Sequence, residues 1–240
     1  MHSRRTGDNQ GRSCVRGVCV MAWISRLYTD PGGQYLSQSE MENNAVEFAT
    51  YGSHQGFSII SMAGMLGCIQ SESTINPGAQ NLGEPVATRG LGLCQWTGTR
   101  HTALQNWCSS QGYDGWWYGP PQMQFMQYEL TTYSYHMYDT HAQAIVPSEF
   151  RFSNGMQMAR CNDPDWTLEM STAWWLDCFE MGGGAYSDAL WNQWWSTRWP
   201  QAQAWYAFLS GQPWPGRGLP AWMLRRIMAQ SEVKRRMLRR

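Results

Sequence analysis

The chain is short of the features that announce most chemistries. It has seven cysteines, an odd number, and no Cys-x-x-Cys pair. At least one thiol therefore has no partner within the chain, and no cysteine–histidine cluster has zinc-ligand spacing. Cys14 and Cys19 lie in an arginine- and glycine-rich arm. The other five are scattered through helix-like and turn-like stretches, where cysteine serves as a small apolar residue. The pattern excludes an obligatory disulfide framework and fits synthesis in a reducing cytoplasm. No run of about 18 apolar residues exists, so no membrane span is expected. The apolar stretch Val18–Ile24 is too short and too interrupted for a secretory signal. Gly182-Gly183-Gly184 lacks the following Lys-Ser/Thr of a phosphate-binding loop. His54, His101, His136 and His141 have no spacing that suggests a metal site or a nucleophile–base pair. Neither a metal nor a cofactor is expected, nor is a Ser/His/Asp or Cys/His mechanism. No internal repeat is present.

What is present is unevenly distributed. The formal charge is zero over 240 residues, but residues 1–26 carry five arginines and one aspartate. Residues 27–216 carry five arginines against sixteen acids, and residues 217–240 carry eight Lys or Arg and one Glu. The body is acidic and both ends are basic, a pattern more often solvated than bound. The length suits one well-buried domain plus a tail. The 15 tryptophans include the neighbouring pairs Trp116-Trp117, Trp174-Trp175 and Trp194-Trp195. Adjacent rings cannot all face one core, so some are expected on the surface or in a groove, with most still core residues.

Ser39-x-x-Glu42 reads as a capping box opening a helix that carries Met41, Ala45, Phe48 and Ala49 on one face, until Gly52 and Gly56 break it. The next helix starts near Phe57 or Ser58. Ile59, Ala63, Leu66 and Ile69 form its stripe, and Gly64 and Gly67 allow another element to approach closely. Glu72 shares a face with Met65 and Cys68 at the end of this helix, just before Asn76-Pro77-Gly78 stops it. An apolar face and a helix C-terminus both disfavour a carboxylate, which makes Glu72 a plausible general acid. Gly90-x-Gly92-Leu93-x-Gln95-Trp96-Thr97 then supplies a glycine turn with an amide and an aromatic. A lone acid followed by such a turn suits a sugar-cleaving cleft: Glu72 protonates a glycosidic oxygen, Gln95 bonds sugar hydroxyls and Trp96 covers a sugar face. Against this stands a solvated helix-end Glu72 and a Gln95 that only shapes its own turn. Ser73 either braces Glu72 or caps the helix, and Tyr128 is either a cleft residue or a core tyrosine.

Further along, helices are expected over Thr97–Ser110, Gln122–Tyr138 with Phe125, Met126, Leu130 and Tyr133 inward, Trp166–Glu180, and Ser187–Leu209 with a break or first turn at Pro200. Residues 1–33 read as a flexible basic leader, 34–210 as the catalytic domain, 211–220 as a Pro/Gly linker and 221–240 as a basic tail that could form a short helix. Truncation after Gly211 is expected to leave a folded domain.

Residues 35–210 resemble the phage tail lysozyme family. The resemblance rests on Tyr35-Leu36-Ser37, Met41-x-x-Asn44-Ala45, Ala63-Gly64-Met65-Leu66-Gly67-x-Ile69-Gln70-Ser71-Glu72-Ser73-Thr74-Ile75-Asn76-Pro77-Gly78, the Gly90–Thr97 segment, Tyr128-Glu129-Leu130 and Gln203-Ala204-x-x-Tyr206-x-Phe208-Leu209. The family has Asn where this chain has Cys68. Its late Tyr-Glu-Arg-Pro element appears as Phe179-Glu180-Met181-Gly182, and the loop Ala79–Arg89 is short. The resemblance implies a mainly α, lysozyme-like α+β fold: a helical domain with a small hairpin or loop wall beside the cleft. It also implies a muramidase cutting the β-1,4 bond between N-acetylmuramic acid and N-acetylglucosamine of bacterial peptidoglycan, with its catalytic glutamate at Glu72. A lytic transglycosylase of the same fold and a non-catalytic wall-binding or tail-assembly module are the alternatives. Glu84, Glu129 and Glu180 are candidates for a second carboxylate. The implied setting is the phage tail in the virion, acting at the host wall, with other tail proteins docked through residues 221–240, no nucleic acid and no transmembrane segment.

Overall fold

The computed structural model describes residues 12–15, 18–182 and 184–212, and it is mostly helical, 57% helix against 3% strand. The mainly α expectation is met. Two short strands, β1 (Arg12–Val15) and β2 (Val18–Met21), pair antiparallel with Arg12 opposite Met21. Eight helices follow among the described residues: α1 (Gln38–His54), α2 (Ile59–Ser73), α3 (Gly98–Ser110), α4 (Gly119–Thr132), α5 (Thr140–Ile145), α6 (Gly155–Ala159), α7 (Leu168–Trp174) and α8 (Asp188–Ser210). Helix α7 runs on as a π-helical turn over Trp175–Glu180. No described helix is long and apolar enough to cross a membrane. The basic tail, most of the linker and residues 1–11, 16 and 17 lie outside the described residues.

Helix α2 is the centre of the domain. Ten of its fifteen residues are buried, including the expected stripe members Ala63, Leu66 and Ile69. A helix apolar nearly all round must be enclosed by others, and α7 and α8 pack on it directly. The two glycines make this approach possible. A Cβ on Gly67 would stand 2.6 Å from the backbone nitrogen of Ala202 on α8, and one on Gly64 would stand 2.5 Å from Ser171 Oγ on α7. Each glycine costs helix propensity of about 1 kcal/mol. The exchange is a tighter helix–helix contact, as the sequence led us to expect. Trp205 Nε1 donates to Gln70 Oε1 at 2.8 Å and adds a polar tie between α2 and α8.

Several boundaries move. The capping box belongs to Ser37 and Glu40, two residues before the expected pair: Glu40 Oε2 accepts from Ser37 N at 2.9 Å and from Ser37 Oγ at 2.8 Å. Gly52 lies inside α1 rather than ending it, with its bare Cα packed on Met62. Helix α4 stops at Thr132, because Tyr133 turns extended and Ser134 bridges to Asn154. Tyr133, expected inward, is therefore exposed. Helix α8 continues through Pro200, losing one backbone bond. Its packing on α2 keeps it in line. Trp174 and Trp175 are both fully buried, whereas Trp116, Trp117, Trp194 and Trp195 are only partly buried. The π turn begins at Trp175, and each ring finds its own site: Trp174 Nε1 donates to Phe152 O, while Trp175 stacks on Phe179 with centroids 4.0 Å apart.

The expected flexible leader is also corrected in part. Residues 22–33 are pinned to the domain by two buried asparagines. Asn44 bonds the N–H and the carbonyl of Ile24, and Asn76 does the same for Arg26. Arg26 ion-pairs with Glu40, and Trp23 packs over Gly119. The domain therefore begins well before residue 34.

Candidate functional site

Glu72 sits in the last turn of α2. The helix ends one residue later, before the expected Asn-Pro stop, because Thr74 and Ile75 both take left-handed backbone angles, φ 54° and 57°. Two consecutive left-handed non-glycine residues are strained. They are held there by Thr74 Oγ1, which accepts from Leu36 N, and by Asn44 Nδ2, which donates to Ile75 O. The turn fixes where Glu72 leaves the helix.

Glu72 opens into a cleft of ≈ 530 Å³ whose walls are mostly polar. Gln34, Gln80, Asn81, Glu84, Gln95, Thr97, Arg100 and Glu180 share it. The far wall is the glycine turn, built on isolated bridges from Leu91 to Gln80 and to Trp96. These bridges are the small hairpin-like wall expected beside the cleft. Glu72 and Gln95 thus face the same cavity. Tyr35 stands at its mouth with 71% of its surface exposed, an aromatic face open to a ligand.

The expected apolar setting of Glu72 is replaced by an ion-pair cluster. Arg198 Nη2 on α8 donates to Glu72 Oε1 at 2.5 Å, and Arg198 Nε donates to Glu180 Oε2 at 2.8 Å. The Glu72 side chain is 26% exposed, that of Glu180 only 5%. Burial first, and the neighbouring Glu72 charge second, push the Glu180 carboxyl up to about 8. The Arg198 guanidinium is buried yet held protonated by Glu180 and Glu72, so its pKa moves up. Cys68, in place of the family's asparagine, is a buried thiol whose ionisation burial suppresses. The described cysteines Cys68, Cys94, Cys108, Cys161 and Cys178 are all free.

The other expected site residues divide. Gln95 lines the cleft, but its Nε2 donates to Gly92 O and Ala79 O, so in this structure its amide shapes its own turn. Ser73 is buried and donates to Leu93 O at 2.8 Å and to Ile69 O at 3.1 Å, which ties α2 to the far wall. Trp96 is a correction: its ring is wholly buried, and Nε1 donates to Glu129 Oε2 at 2.6 Å, so it has no face to offer a sugar. Tyr128 is another. It packs with Trp107 and Phe125 on α3 and α4 and does not line the cleft. Glu129 is buried under Arg100, which forks onto it at 2.7 and 2.8 Å, a structural pair behind the wall. Glu84 lines the cleft and caps the turn by accepting from Gly90 N at 3.1 Å.

Arg198 is the residue that sequence reasoning missed. The available signal was chemical: it is the single cation in the Trp-rich helix Asp188–Ser210, and such a group must find carboxylates when buried. The π turn is the second missed feature. It inserts a residue relative to an α turn, which rotates the side chains beyond it by about 100°. Glu180 is its last residue.

The sequence profile of a family described as phage tail lysozyme matches residues 43–209. Morphogenesis protein 1 of Bacillus phage B103 is 44% identical over 79 residues, 32% of this chain and 21% of that protein. The chain therefore matches about a fifth of that relative's length.

Proposed function

The chain belongs to the phage tail lysozyme family, and we propose that it is a peptidoglycan glycoside hydrolase of the muramidase type, with Glu72 as general acid. The bond cleaved is the β-1,4 link between N-acetylmuramic acid and N-acetylglucosamine. The observation that carries this reading is a partly exposed carboxylate at the end of the central helix, opening into a polar cleft of ≈ 530 Å³. Glu72 donates a proton to the glycosidic oxygen, the C1–O bond breaks with its electron pair going to that oxygen, and a water adds at C1 and gives one proton back to the Glu72 carboxylate. Gln80 and Asn81 supply amides for N-acetyl and hydroxyl groups, while the Gln34 amide is engaged with the Gln80 backbone. Tyr35 supplies the aromatic face expected of Trp96. No cofactor takes part in this reading.

One observation favours a second outcome. Glu180 shares the Arg198 guanidinium with Glu72 and is only 5% exposed, whereas the second carboxyl of a retaining glycosidase stands across the scissile bond. Glu180 does not flank the scissile bond, which leaves room for the substrate's own hydroxyl as nucleophile and an anhydro product by transglycosylation. The setting we propose is a tail-associated enzyme that opens the wall locally for genome entry, in line with the family's description and the phage relative. Docking to other tail proteins through residues 221–240 is part of the same reading and lies outside the described residues.

The test is Glu72→Gln, which keeps side-chain shape and removes the transferable proton. Wall lysis should fall on the order of 10²-fold or more, with wall binding and melting temperature retained. Lysis at the parent's rate would overturn the assignment. Mass analysis of the released muropeptides separates reducing-end muramic acid from the anhydro product, and finding no released fragments from the parent would point to a binding module.

A further inference from the structure

A general acid must hold a proton at the moment of cleavage, and Glu72 rests against the Arg198 guanidinium. Resting on the reading of Glu72 as the acid, we propose that Glu180 stores the proton that Glu72 delivers, with Arg198 as the clamp that keeps the two carboxyl groups together.

Three features of the geometry support this. Arg198 reaches Glu72 through Nη2 and Glu180 through Nε, so one rigid guanidinium sets the spacing of both acids. The two carboxyls also meet on one cation, with Glu180 only 5% exposed. Two like charges brought together where one is buried repel, and a single proton on the pair relieves that repulsion. Finally, Glu180 Oε1 is buried and meets no donor. A buried acceptor without a partner is costly, and a proton on this carboxyl removes most of that cost. With one proton the three groups sum to zero charge, and without it the site carries −1.

The groups that face Glu180 come from every neighbouring element. They are Glu72 and the thiol of Cys68 on α2, the thiol of Cys94 on the glycine turn, Arg100 on α3 with its partner Glu129 on α4, and Arg198 on α8. Burial suppresses ionisation of both thiols. Arg100 is satisfied by Glu129. The proton therefore divides between Glu180 and Glu72. In the open cleft the more deeply buried Glu180 keeps it. A glycan in the cleft strips water from Glu72 and raises the cost of its charge, and the proton crosses from Glu180 to Glu72. Glu180 is left as a carboxylate on Arg198 Nε. Glu72 then protonates the leaving oxygen. The nucleophile, water or a substrate hydroxyl, gives up one proton on attack, and that proton restores the pair. Glu180 acts through Glu72 and is a positioning residue, not one that touches the sugar.

The experiment combines infrared titration with the pH profile of lysis, on the full chain and purified peptidoglycan. At pH 7 the parent should show a protonated-carboxyl C=O band that Glu180→Gln lacks. In Glu72→Gln the same band should titrate away at least about one pH unit lower, because the neighbouring carboxylate is gone. For lysis, the alkaline limb of the parent should lie near the titration of this pair. In Glu180→Gln it should move down by at least about one pH unit, with co-sedimentation on the wall unchanged. A Glu180→Gln variant that loses activity by one factor at every pH, or an infrared band that Glu72→Gln leaves in place, overturns the proposal. If Glu180→Gln fails to fold, the band shift in Glu72→Gln decides alone. If Glu72→Gln is inactive and the Glu180→Gln profile matches the parent, only the proton store is wrong. If Glu72→Gln lyses wall normally while the band behaves as described, the store exists but the catalytic reading is wrong.

Discussion

Replacing Glu129 by Gln separates a structural carboxylate from a catalytic one. Glu129 is one of the candidates for a second acid, and the structure buries it completely behind the cleft wall. Its two oxygens accept three charge-assisted or buried bonds: Trp96 Nε1 at 2.6 Å, Arg100 Nε at 2.7 Å and Arg100 Nη2 at 2.8 Å. Glutamine keeps one acceptor oxygen and turns an NH2 group toward the remaining donors, so the guanidinium fork cannot be matched. Breaking a buried pair by altering one partner costs about 3–5 kcal/mol. The Arg100 side chain is 33% exposed, so water takes up part of its charge and the lower end applies, about 3 kcal/mol. For a domain of this size that corresponds to a melting temperature roughly 6–12 °C lower. Arg100 also bonds Phe179 O at 3.2 Å and lies 4.7 Å from the Phe179 ring, next to Glu180, so some effect should reach the site. Measured at 15 °C, where the variant is folded, turnover on purified wall should stay within about tenfold of the parent, against a loss of 10² or more for Glu72→Gln. Circular dichroism melts give the first quantity, and turbidity loss of a wall suspension gives the second. A Glu129→Gln variant that melts like the parent but is as inactive as Glu72→Gln would refute the reasoning and make Glu129 catalytic.

Gly67→Ala places a methyl 2.6 Å from Ala202 N, one turn from Arg198 on α8. Overpacking should cost about 1–3 kcal/mol, and the shift of Arg198 away from Glu72 should lower kcat more than it raises KM in steady-state lysis. Asp177 is buried, and burial pushes its carboxyl up from 3.8 to about 6. The folded state thus binds more protons than the unfolded state between about pH 4 and 6, and stability falls as pH rises through that window. Asp177→Asn removes this loss, so its melting temperature relative to the parent should be higher at pH 7 than at pH 4. Equal differences at both pH values would contradict the assignment.

Much of the fold was legible because the domain is built on periodic apolar helices. The stripe Ile59, Ala63, Leu66, Ile69 led directly to α2, and the core positions Phe125, Met126 and Leu130 to α4. Boundaries were less legible where a side chain or a tertiary contact competes with the local signal. Glu40 has Ser37 within reach and opens α1 early. Pro200 sits in a helix because α2 holds both of its flanks. Residues 140–159 carry two short helices with no amphipathic period, α5 and α6, started by Asp139 and Asn154 caps alone, and no pattern of that length announces itself.

The site divides in the same way. Chemistry along the chain singled out Glu72, since a carboxylate at the end of an apolar helix, followed by a glycine turn, is local information. It also brought Gln95 to the same cleft. Trp96 and Tyr128 failed because a ring's orientation depends on what lies behind it: Glu129 draws the indole inward, and Trp107 and Phe125 engage the phenol. The partners of Glu72 were beyond sequence reasoning for a simple reason. Glu180 and Arg198 are 108 and 126 residues away, and only the close approach of α8 over Gly67, with the π turn that ends at Glu180, brings them together. The sequence determined which acid opens the cleft. Whether that acid stands alone or joins an ion-pair cluster was decided by helix packing, because charge–charge and hydrogen-bond energies depend on separation in space and not along the chain.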